Sequence, residues 1–362
     1  MVEEKKKVYA TNLGKLYDSL EKDYGKGTIV QGDSIKQEFM STGRIMLDRA
    51  IGGNNPGIPN NKIIEIYGPN AGGKTCVTLS MIAEAQKQGG TALFIDLEHT
   101  FNPDMARKLE VVLGDNACRV AHVPSGNIAF QIMDAVLENK IETGVGPDII
   151  VVDSVSSIVP DRVLGRTIGD DDIGSIAKLM SNALPQLVDK VYRAEVPIIF
   201  INQTRQKKTA NPKANPETTS GGMSLGFYAS LRMRVSKIGD YIKDGNDVLG
   251  HRVMVAIKKN KVGIPFKCAS FNLYYNSGVN KYAEIAEAAI DQGLIKKAGS
   301  WYSYVKLDET TGELTEVFKV QGVLNISDLL RVKNDVYQEL LDSLEVEVVI
   351  EEKAPESQKE AV

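Results

Sequence analysis

The most constraining feature of this chain is a glycine-rich loop that joins an apolar run to an amphipathic one. Residues 63–67 read Ile-Ile-Glu-Ile-Tyr, typical of a buried strand, and residues 68–75 match G-x-x-x-x-G-K-T. Glycines let successive backbone N–H groups turn toward phosphate oxygens, and a following helix directs its positive dipole end at the same charge. Because residues 76–86 continue with helical spacing, the sequence predicts a nucleotide-binding loop more strongly than an incidental glycine turn.

Each residue of this loop has an expected role in binding ATP. Lys74 is expected to reach the β- and γ-phosphates, and the Thr75 hydroxyl to ligate Mg²⁺. The other positions predicted to contact the nucleotide are Gly68, Pro69, Asn70, Ala71, Gly72, Gly73 and, at the start of the helix, Cys76.

The pattern around the loop predicts an α/β fold. Apolar runs at residues 63–67, 91–95, 149–152 and 196–201 alternate with segments long enough for helices. Such alternation indicates a mainly parallel sheet covered by helices on both faces. A chain of 362 residues predicts two or three domains, at about 150 residues per domain.

We divide the chain accordingly into a helical arm at residues 1–39, a core at 40–280, a small α+β domain at 281–344 and an acidic disordered tail at 345–362. Residues 8–22 predict one amphipathic helix, which is either an arm or a packed core helix. After residue 230 the pattern predicts antiparallel strands. The small domain is expected to contain a helix from about residue 282, a strand at 301–304 and a final helix at about 325–343.

The composition excludes several classes of protein. No stretch of about 20 apolar residues occurs and the N-terminus lacks the apolar core of a signal peptide, which predicts a cytoplasmic protein without a membrane partner. The widely spaced Cys76, Cys118 and Cys268 predict neither disulfides nor structural zinc. The net charge of −4 disfavours a polyanionic partner, but much of the acidity lies after Leu344, so basic loops remain available.

Three polar residues follow predicted strands that end at the same sheet edge as the glycine-rich loop. Asp153 ends an apolar strand and matches the Walker B carboxylate near Mg²⁺, although such a residue is often only a helix cap. Glu98 is placed to orient or deprotonate a water molecule, with a solvated loop carboxylate as the alternative. Gln203 is placed to hydrogen-bond a γ-phosphate and to move when it leaves.

Two loops leave the same edge, at residues 160–174 and 203–222. The second loop has no apolar residue larger than alanine, and loops of this length in a compact domain are usually functional or disordered. Its basic residues suit contacts to a nucleic-acid backbone, with a solvated linker as the alternative. They are Arg205, Lys207, Lys208 and Lys213.

A series of motifs from about residue 10 to 305 resembles the RecA family of homologous recombinases, the bacterial and phage DNA strand-exchange proteins. Besides the loop, the matching strings are Phe94-Ile95-Asp96 with Glu98-His99, Ile150-Val151-Val152-Asp153-Ser154, Phe200-Ile201-Asn202-Gln203, Asn215-Pro216-Glu217-Thr218-Thr219, Phe227-Tyr228-Ala229-Ser230, Lys259-Asn260-Lys261 and Lys297-Ala298-Gly299-Ser300-Trp301-Tyr302. Such an ordered series is far more specific than a lone P-loop.

The resemblance implies a RecA-like P-loop ATPase core and a DNA-dependent ATPase that forms helical filaments on single-stranded DNA. Such a filament pairs its strand with homologous double-stranded DNA in recombination, repair and the SOS response. Recombination mediators or a single-strand binding protein are possible partners. The implied cofactors are ATP and Mg²⁺.

The resemblance also implies roles for individual residues. Glu98 activates water and Gln203 links the γ-phosphate to the DNA loop, while Lys259 and Lys261 contact the ATP of a neighbouring subunit. Phe227 inserts into the adjacent subunit, with a core aromatic as the alternative. The implied adenine contacts are Asn102, Met105 and Tyr275, and the implied DNA contacts include Lys178, Gly221 and Gly222.

The sequence departs from the family pattern at several positions. Gly72 replaces a common serine, which a backbone cradle tolerates, and Asn102 and Met105 stand where the family has an aspartate and a tyrosine near adenine. Residues 206–209 are polar where bulky apolar side chains are common. Pro185 is expected to interrupt the helix after the first loop.

Two other functions are open on the sequence alone. A hexameric DNA helicase has the same core fold, and translocation on forked DNA would distinguish it from a strand-exchange protein. A non-enzymatic regulatory ATP-binding module would bind nucleotide without turnover.

Overall fold

The computed structural model describes residues 2–25, 28–52, 57–164, 174–206, 217–275, 280–307 and 314–344. The chain divides into two compact units, Met1–Glu38 and Phe39–Val362. The first unit contains helix α1 (Val2–Tyr24) and a 3-10 turn at Gly32–Ser34. Helix α1 extends beyond the predicted residues 8–22 at both ends. Leu16 and Tyr17 on this helix are exposed, which is more typical of an arm than of a core helix.

The first part of the second unit alternates strands and helices. In chain order its elements are β1 (Phe39–Met40), α2 (Ile45–Gly52), β2 (Ile58–Pro59), β3 (Ile63–Gly68), α3 (Lys74–Lys87), β4 (Ala92–Asp96), α4 (Pro103–Lys108), β5 (Cys118–His122), α5 (Gly126–Thr143), β6 (Ile149–Asp153), α6 (Asp161–Leu164), α7 (Ser175–Ala194), β7 (Ile198–Gln206), β8 (Glu217–Thr219), α8 (Ser224–Tyr228), β9 (Leu231–Asp244), β10 (Asp247–Asn260) and β11 (Cys268–Tyr274). A 3-10 turn at Val155–Ser157 follows β6.

These strands form one large mixed sheet, which has nine strands within the described residues. The order β11-β10-β9-β3-β7-β6-β4-β5 is parallel from β9 to β5 and antiparallel from β9 to β11, and β8 pairs antiparallel with β7. This arrangement confirms the predicted α/β fold with its mainly parallel sheet. Strand β5 is an additional edge strand that the sequence analysis did not predict.

The apolar strands are buried on both faces because each contributes to two cores. Every residue of β3 and of β6 is buried. Ile64 and Ile66 join one hydrophobic cluster, whereas Ile63 joins the other, as the two-residue period of a strand requires. Because these strands pair in parallel, the carboxyl ends of β3, β7, β6 and β4 meet at one edge, where Gly68 pairs with Gln203 and Asp96 with Asp153.

The end of the second unit adds an antiparallel sheet and three helices. Its elements are α9 (Lys281–Asp291), β12 (Ile295–Ala298), β13 (Trp301–Leu307), β14 (Leu314–Gln321), α10 (Val323–Val332) and α11 (Asn334–Ser343). Strands β12, β13 and β14 pair in that order. The predicted domain boundary between residues 280 and 281 lies inside this unit and stays a prediction, and the predicted tail at 345–362 lies outside the described residues.

Two expectations about helices were wrong. The predicted single final helix is two helices, because Lys333 adopts φ −96° and ψ 81°, outside the helical region. The Lys333 N–H donates to Leu329 O, the last hydrogen bond of α10. The Lys333 carbonyl accepts the N–H of Tyr337, the first hydrogen bond of α11.

Helix α7 continues through Pro185, which was expected to interrupt it. A proline inside a helix costs about 3 kcal/mol. Burial of Met180, Leu184, Leu187 and Val191 along one side of α7 offsets that cost. No helix in the described ranges has both the length and the apolar character to cross a bilayer.

Candidate functional site

The glycine-rich loop lies between β3 and α3, at the centre of the polar sheet edge. Gly68 must be glycine, because a Cβ there would lie 1.9 Å from the carbonyl oxygen of Val235 in β9. Gly73 precedes α3 with φ 93°, the left-handed region in which side chains are strained. The loop is therefore shaped by close backbone packing, and the N-terminus of α3 opens onto it.

Lys74 begins α3 and folds back over the loop. Its Nζ donates hydrogen bonds to Gly68 O at 3.1 Å and Pro69 O at 2.8 Å. Burial lowers the pKa of this ammonium, and the carboxylates of Asp153 and Glu98 oppose the shift. Lys74 thus holds a cation at the mouth of the loop, where it can exchange carbonyl oxygens for phosphate oxygens.

Thr75 and Asp153 meet across the edge. The Thr75 hydroxyl donates to Asp153 Oδ2 at 3.0 Å. The pKa of Asp153 is raised to about 6, chiefly by burial and also by the negative charges of Glu98 and Asp96, while the Thr75 hydrogen bond and Lys74 oppose the shift. A bound cation would relieve this repulsion, and a hydroxyl with a carboxylate is a donor set that fits Mg²⁺. Since these two side chains carry three oxygens and Mg²⁺ takes about six ligands, phosphates and water would complete the coordination.

Glu98 lies at the centre of a hydrogen-bond cluster beside Asp153. Its Oε1 accepts from Gln203 Nε2 at 3.1 Å, from Ser157 Oγ at 3.2 Å and from Ser154 Oγ. The structure therefore brings together Glu98 and Gln203, which the sequence placed at the same edge. It adds Ser154 and Ser157, whose only sequence signal was that they follow Asp153.

A buried polar chain runs from this cluster to the end of the second loop. Asn202, next to Gln203, donates through Nδ2 to Glu65 Oε1 at 2.9 Å and to Ser220 O at 3.0 Å. Arg232 donates to Glu65 Oε2 at 2.5 Å and so fixes that carboxylate. Sequence reasoning missed Asn202, Glu65 and Arg232.

Two glycines after Ser220 allow the end of this loop to pack closely against residues beside the polar sheet edge. Gly221 and Gly222 have φ of 85° and 76°. A Cβ on Gly221 would lie 2.8 Å from Val155 Cγ1, and one on Gly222 would lie 2.8 Å from Ala177 Cβ. The loop end is therefore packed on the segment that follows Asp153 and on the first turn of α7.

Two of the predicted DNA contacts, Lys178 and Arg205, belong to the described residues. Lys178 is exposed in the first turn of α7, and Arg205 is exposed on β7, where it pairs with Thr218 of β8. Lys207, Lys208 and Lys213 lie outside the described residues, as does the middle of the first loop at residues 165–173. Their roles stay predictions.

The predicted contacts to a neighbouring subunit form a separate patch. Phe227 on α8 is 72% exposed, so the alternative of a core aromatic is wrong. Lys259 Nζ donates to Gly226 O at 2.9 Å and to Phe227 O at 2.8 Å. Burial lowers the pKa of Lys259, and Lys261 and Arg232 lower it further. Lys261 is exposed beside it, and its N–H donates to Ser230 O.

The predicted adenine contacts differ in their surroundings. Asn102 caps α4, its Oδ1 accepting from the N–H groups of Asp104 and Met105 at 2.9 and 3.0 Å. Met105 is partly buried against the core, and Cys76 is buried, which raises the pKa of its thiol to about 11. Tyr275 remains partly exposed.

The Tyr275 hydroxyl lies 2.7 Å from Nδ1 of His251. His251 is a buried residue of β10. No sequence signal pointed to it.

Comparison with known proteins gives a consistent result. A family model described as the RecA N-terminal domain matches residues 11–280. Protein RecA of Dichelobacter nodosus (strain VCS1703A) is 40% identical over 344 residues, covering 94% of this chain and 91% of that relative. Protein RecA of Clostridioides difficile (strain 630) is 42% identical over 305 residues, 83% of each chain. Protein RecA of Chlorobium limicola is 41% identical over 291 residues, covering 79% of this chain and 80% of that relative.

Proposed function

The chain belongs to the RecA family, and we propose that it hydrolyses ATP at its polar sheet edge to control a filament on single-stranded DNA. It is a homologous recombinase of that family, with a RecA-like fold. The observation that carries the proposal is the contact between Gln203 and Glu98, next to Asn202, which bonds the end of the second loop. One set of hydrogen bonds thus connects the groups expected at the γ-phosphate to the loop expected at DNA.

The nucleotide would be held by the loop and by Lys74. Backbone N–H groups at the N-terminus of α3 face the phosphate position, and Lys74 Nζ moves from Gly68 O and Pro69 O to phosphate oxygens. Thr75 and Asp153 would hold Mg²⁺, which supplies positive charge to the phosphate oxygens when bound. A cation there would offset the burial that raises the pKa of Asp153 and the repulsion from Glu98 and Asp96 that adds to it.

Glu98 would orient the attacking water and accept its proton. Its Oε1 is held by Ser154, Ser157 and Gln203, which fixes the direction of the carboxylate. This leaves Oε2 to receive the hydrogen of a water in line with the γ-phosphate. The serines are positioning groups, since they act on Glu98 and not on the nucleotide.

Gln203 would report the presence of the γ-phosphate. Its amide donates to Glu98 at 3.1 Å, and a γ-phosphate oxygen would compete for the same donor. A shift of Gln203 moves its neighbour Asn202, which holds Ser220 O. Loop residues Gly221 and Gly222, together with Lys178 and Arg205, would thereby be presented to or withdrawn from the DNA backbone.

Lys259 and Lys261 would serve the ATP of the neighbouring subunit. They lie with Phe227 in one patch, so a neighbour that receives the exposed ring also meets both ammonium groups. Lys259 would exchange the carbonyls of Gly226 and Phe227 for phosphate oxygens. Assembly would thereby complete the catalytic site.

Two measurements test this function. ATP turnover should rise strongly when single-stranded DNA is added, and DNA binding should weaken steeply with salt because lysine and arginine contact phosphates. Electron microscopy with single-stranded DNA and a non-hydrolysable ATP analogue should show helical filaments. Equal turnover with and without DNA, or closed rings in place of filaments, would contradict the proposal.

A further inference from the structure

A cavity of about 400 Å³ lies between the large sheet and helix α9. The residues around it include Phe271 of β11, Glu284 of α9, Val323 at the start of α10 and Arg44, which precedes α2. Small-molecule sites in proteins have volumes of about 300 to 1,000 Å³, so the cavity is large enough for a ligand. Its described lining comes from elements other than the glycine-rich loop and the cluster around Glu98, so it is separate from the site described above.

Arg44 places a buried guanidinium at this cavity. The residue is 4% exposed, and its guanidinium carbon lies 4.5 Å from the centroid of the Phe271 ring. Its Nε is buried and makes no hydrogen bond with the described residues. Burial lowers the pKa of Arg44, and the negative charges of Glu284 and Glu287 oppose this shift. Because a buried donor without an acceptor is costly, a ligand that supplies an acceptor would be stabilised here.

Glu284 brings a second unpaired atom to the same cavity. Its Oε1 accepts the N–H of Met46, whereas its Oε2 is buried and has no hydrogen-bond partner within the described ranges. The pKa of Glu284 is raised to about 7, chiefly by burial, so the carboxylate is available as an acceptor above that pH. The cavity thus offers a donor on Arg44 and an acceptor on Glu284 that the fold itself does not use.

The other polar side chains of the lining already have partners. Asn280 caps α9 through its Oδ1, and its Nδ2 donates to Ser327 Oγ at 3.2 Å. The Tyr274 hydroxyl donates to Glu287 Oε1 at 3.4 Å. Recognition of a ligand by hydrogen bonds would therefore depend on Arg44 and Glu284.

The charges around the cavity favour an uncharged ligand. A cation would lie close to the Arg44 guanidinium. An anion would add negative charge beside Glu284 and Glu287, whose pKa values burial has already raised. A carboxamide is uncharged and carries an acceptor oxygen next to an N–H donor, so it can pair with Arg44 and Glu284 together.

The remaining lining suits an apolar body attached to such a group. Ile242 of β9 and Leu249 of β10 line the cavity, together with Val323 and Ala283 from the helices. Ligand sites typically combine apolar walls with a few polar groups that fix the orientation of the ligand. The cavity has both parts.

We propose that this cavity binds a small uncharged molecule that bears a carboxamide on an apolar body. The amide oxygen accepts from Arg44 and the amide N–H donates to Glu284, while the apolar body contacts Ile242, Leu249 and Val323. The inference goes beyond the proposed function and does not rest on it.

Three probes of nearly the same shape test the ligand class. Benzamide, benzoate and benzamidine carry the same ring and a planar substituent that is uncharged, anionic and cationic, respectively. Binding of each probe to the full chain is measured by ligand-observed NMR titration. Benzamide should bind with a dissociation constant on the order of 1 mM, and each charged probe at least about fivefold more weakly. A charged probe that binds as tightly as benzamide, or no binding of benzamide up to about 20 mM, would overturn the proposal.

Two variants test whether benzamide binds in the cavity. Arg44→Met keeps an unbranched apolar side chain but removes the donor, and Ala283→Leu fills part of the cavity while Arg44 stays in place. Each should weaken benzamide binding at least about fivefold. Arg193→Met, at an exposed position of α7, is the matched control and should bind benzamide as the parent does.

Folding and position are checked separately. Thermal unfolding without probe shows which variants are folded, and unchanged benzamide affinity in a folded Arg44→Met or Ala283→Leu would overturn the proposal. A crystal structure of the parent with benzamide decides the position without any substitution. The ring should lie in the cavity with its amide at Arg44, and a ring found only elsewhere would contradict the proposed site.

Discussion

Two regions of the molecule bury a carboxylate whose pKa is raised, and they differ in what surrounds it. At the sheet edge, burial raises the pKa of Asp153 to about 6. Where α9 packs under the large sheet, burial raises the pKa of Glu284 to about 7. Burial is the largest cause in both regions, so the raised pKa alone does not separate a functional carboxylate from a structural one.

The partners of the two groups separate them. Asp153 accepts from a threonine hydroxyl, faces the Lys74 ammonium and lies where parallel strands end. Glu284 Oε1 accepts the backbone N–H of Met46 at 3.0 Å, and its nearest cation, Arg44, stacks on Phe271 at 4.5 Å from the ring centroid. The partners of Asp153 can be exchanged for a ligand. Glu284, in contrast, connects α9 to the first turn of α2.

The largest effect should come from Glu98. The Glu98→Gln variant keeps the shape of the side chain but cannot accept a proton from water. We expect ATP turnover to fall by more than about 100-fold while filaments still form on single-stranded DNA with ATP. Glu110→Gln, at an exposed surface position, is the matched control and should keep full turnover. Unchanged ATP turnover in Glu98→Gln would contradict the proposed catalytic role of Glu98.

The difference between the two carboxylates is tested by neutralising each of them in a separate variant. Asp153→Asn should lower turnover about 10- to 100-fold, because the amide is a poor Mg²⁺ ligand, and should raise the Mg²⁺ concentration needed for half-maximal activity. Glu284→Gln should keep turnover within about twofold. The difference between the regions would be lost if both substitutions reduced turnover alike.

A smaller effect concerns the pH dependence of the free energy of unfolding, to which the Glu284 region contributes. The folded pKa of Glu284, about 7, lies above its ordinary value, so this carboxyl favours the folded state when protonated and loses that advantage as pH rises through 7. At pH 8 the free energy of unfolding of Glu284→Gln should therefore exceed that of the parent by on the order of 2 kcal/mol, measured as unfolding at a higher denaturant concentration. At pH 5 the two proteins should nearly coincide. A destabilised variant at pH 8 would mean that the Arg44 attraction outweighs burial.

The sequence predicted those parts of the site that depend on local patterns. Gly68–Thr75 and the apolar strands before Asp153 and Gln203 are local, and parallel strands end at one edge whatever their order. That reasoning placed Glu98 and Gln203 at the same edge, and the structure has them in contact across 105 residues of chain.

What the sequence could not predict depends on strand order and on side-chain packing. The chain Asn202–Glu65–Arg232 requires β3 to lie between β7 and β9, which no local pattern specifies. His251 packs against the glycine-rich loop at Gly73 only because β10 pairs with β9. The break at Lys333 and the unbroken helix through Pro185 likewise reflect tertiary packing that overrides local preference.

A catalytic site completed by a second subunit is tested most directly by a mixing experiment. Glu98→Gln removes the carboxylate that we propose activates water in its own site, and Lys259→Ala removes the ammonium that we propose serves a neighbour. Each variant alone should be nearly inactive on single-stranded DNA. Mixed in equal amounts, they should form filaments in which about a quarter of the interfaces join an intact Glu98 to an intact Lys259, and turnover should recover to about that fraction. Co-assembled filaments with no recovered turnover would contradict a site shared between subunits.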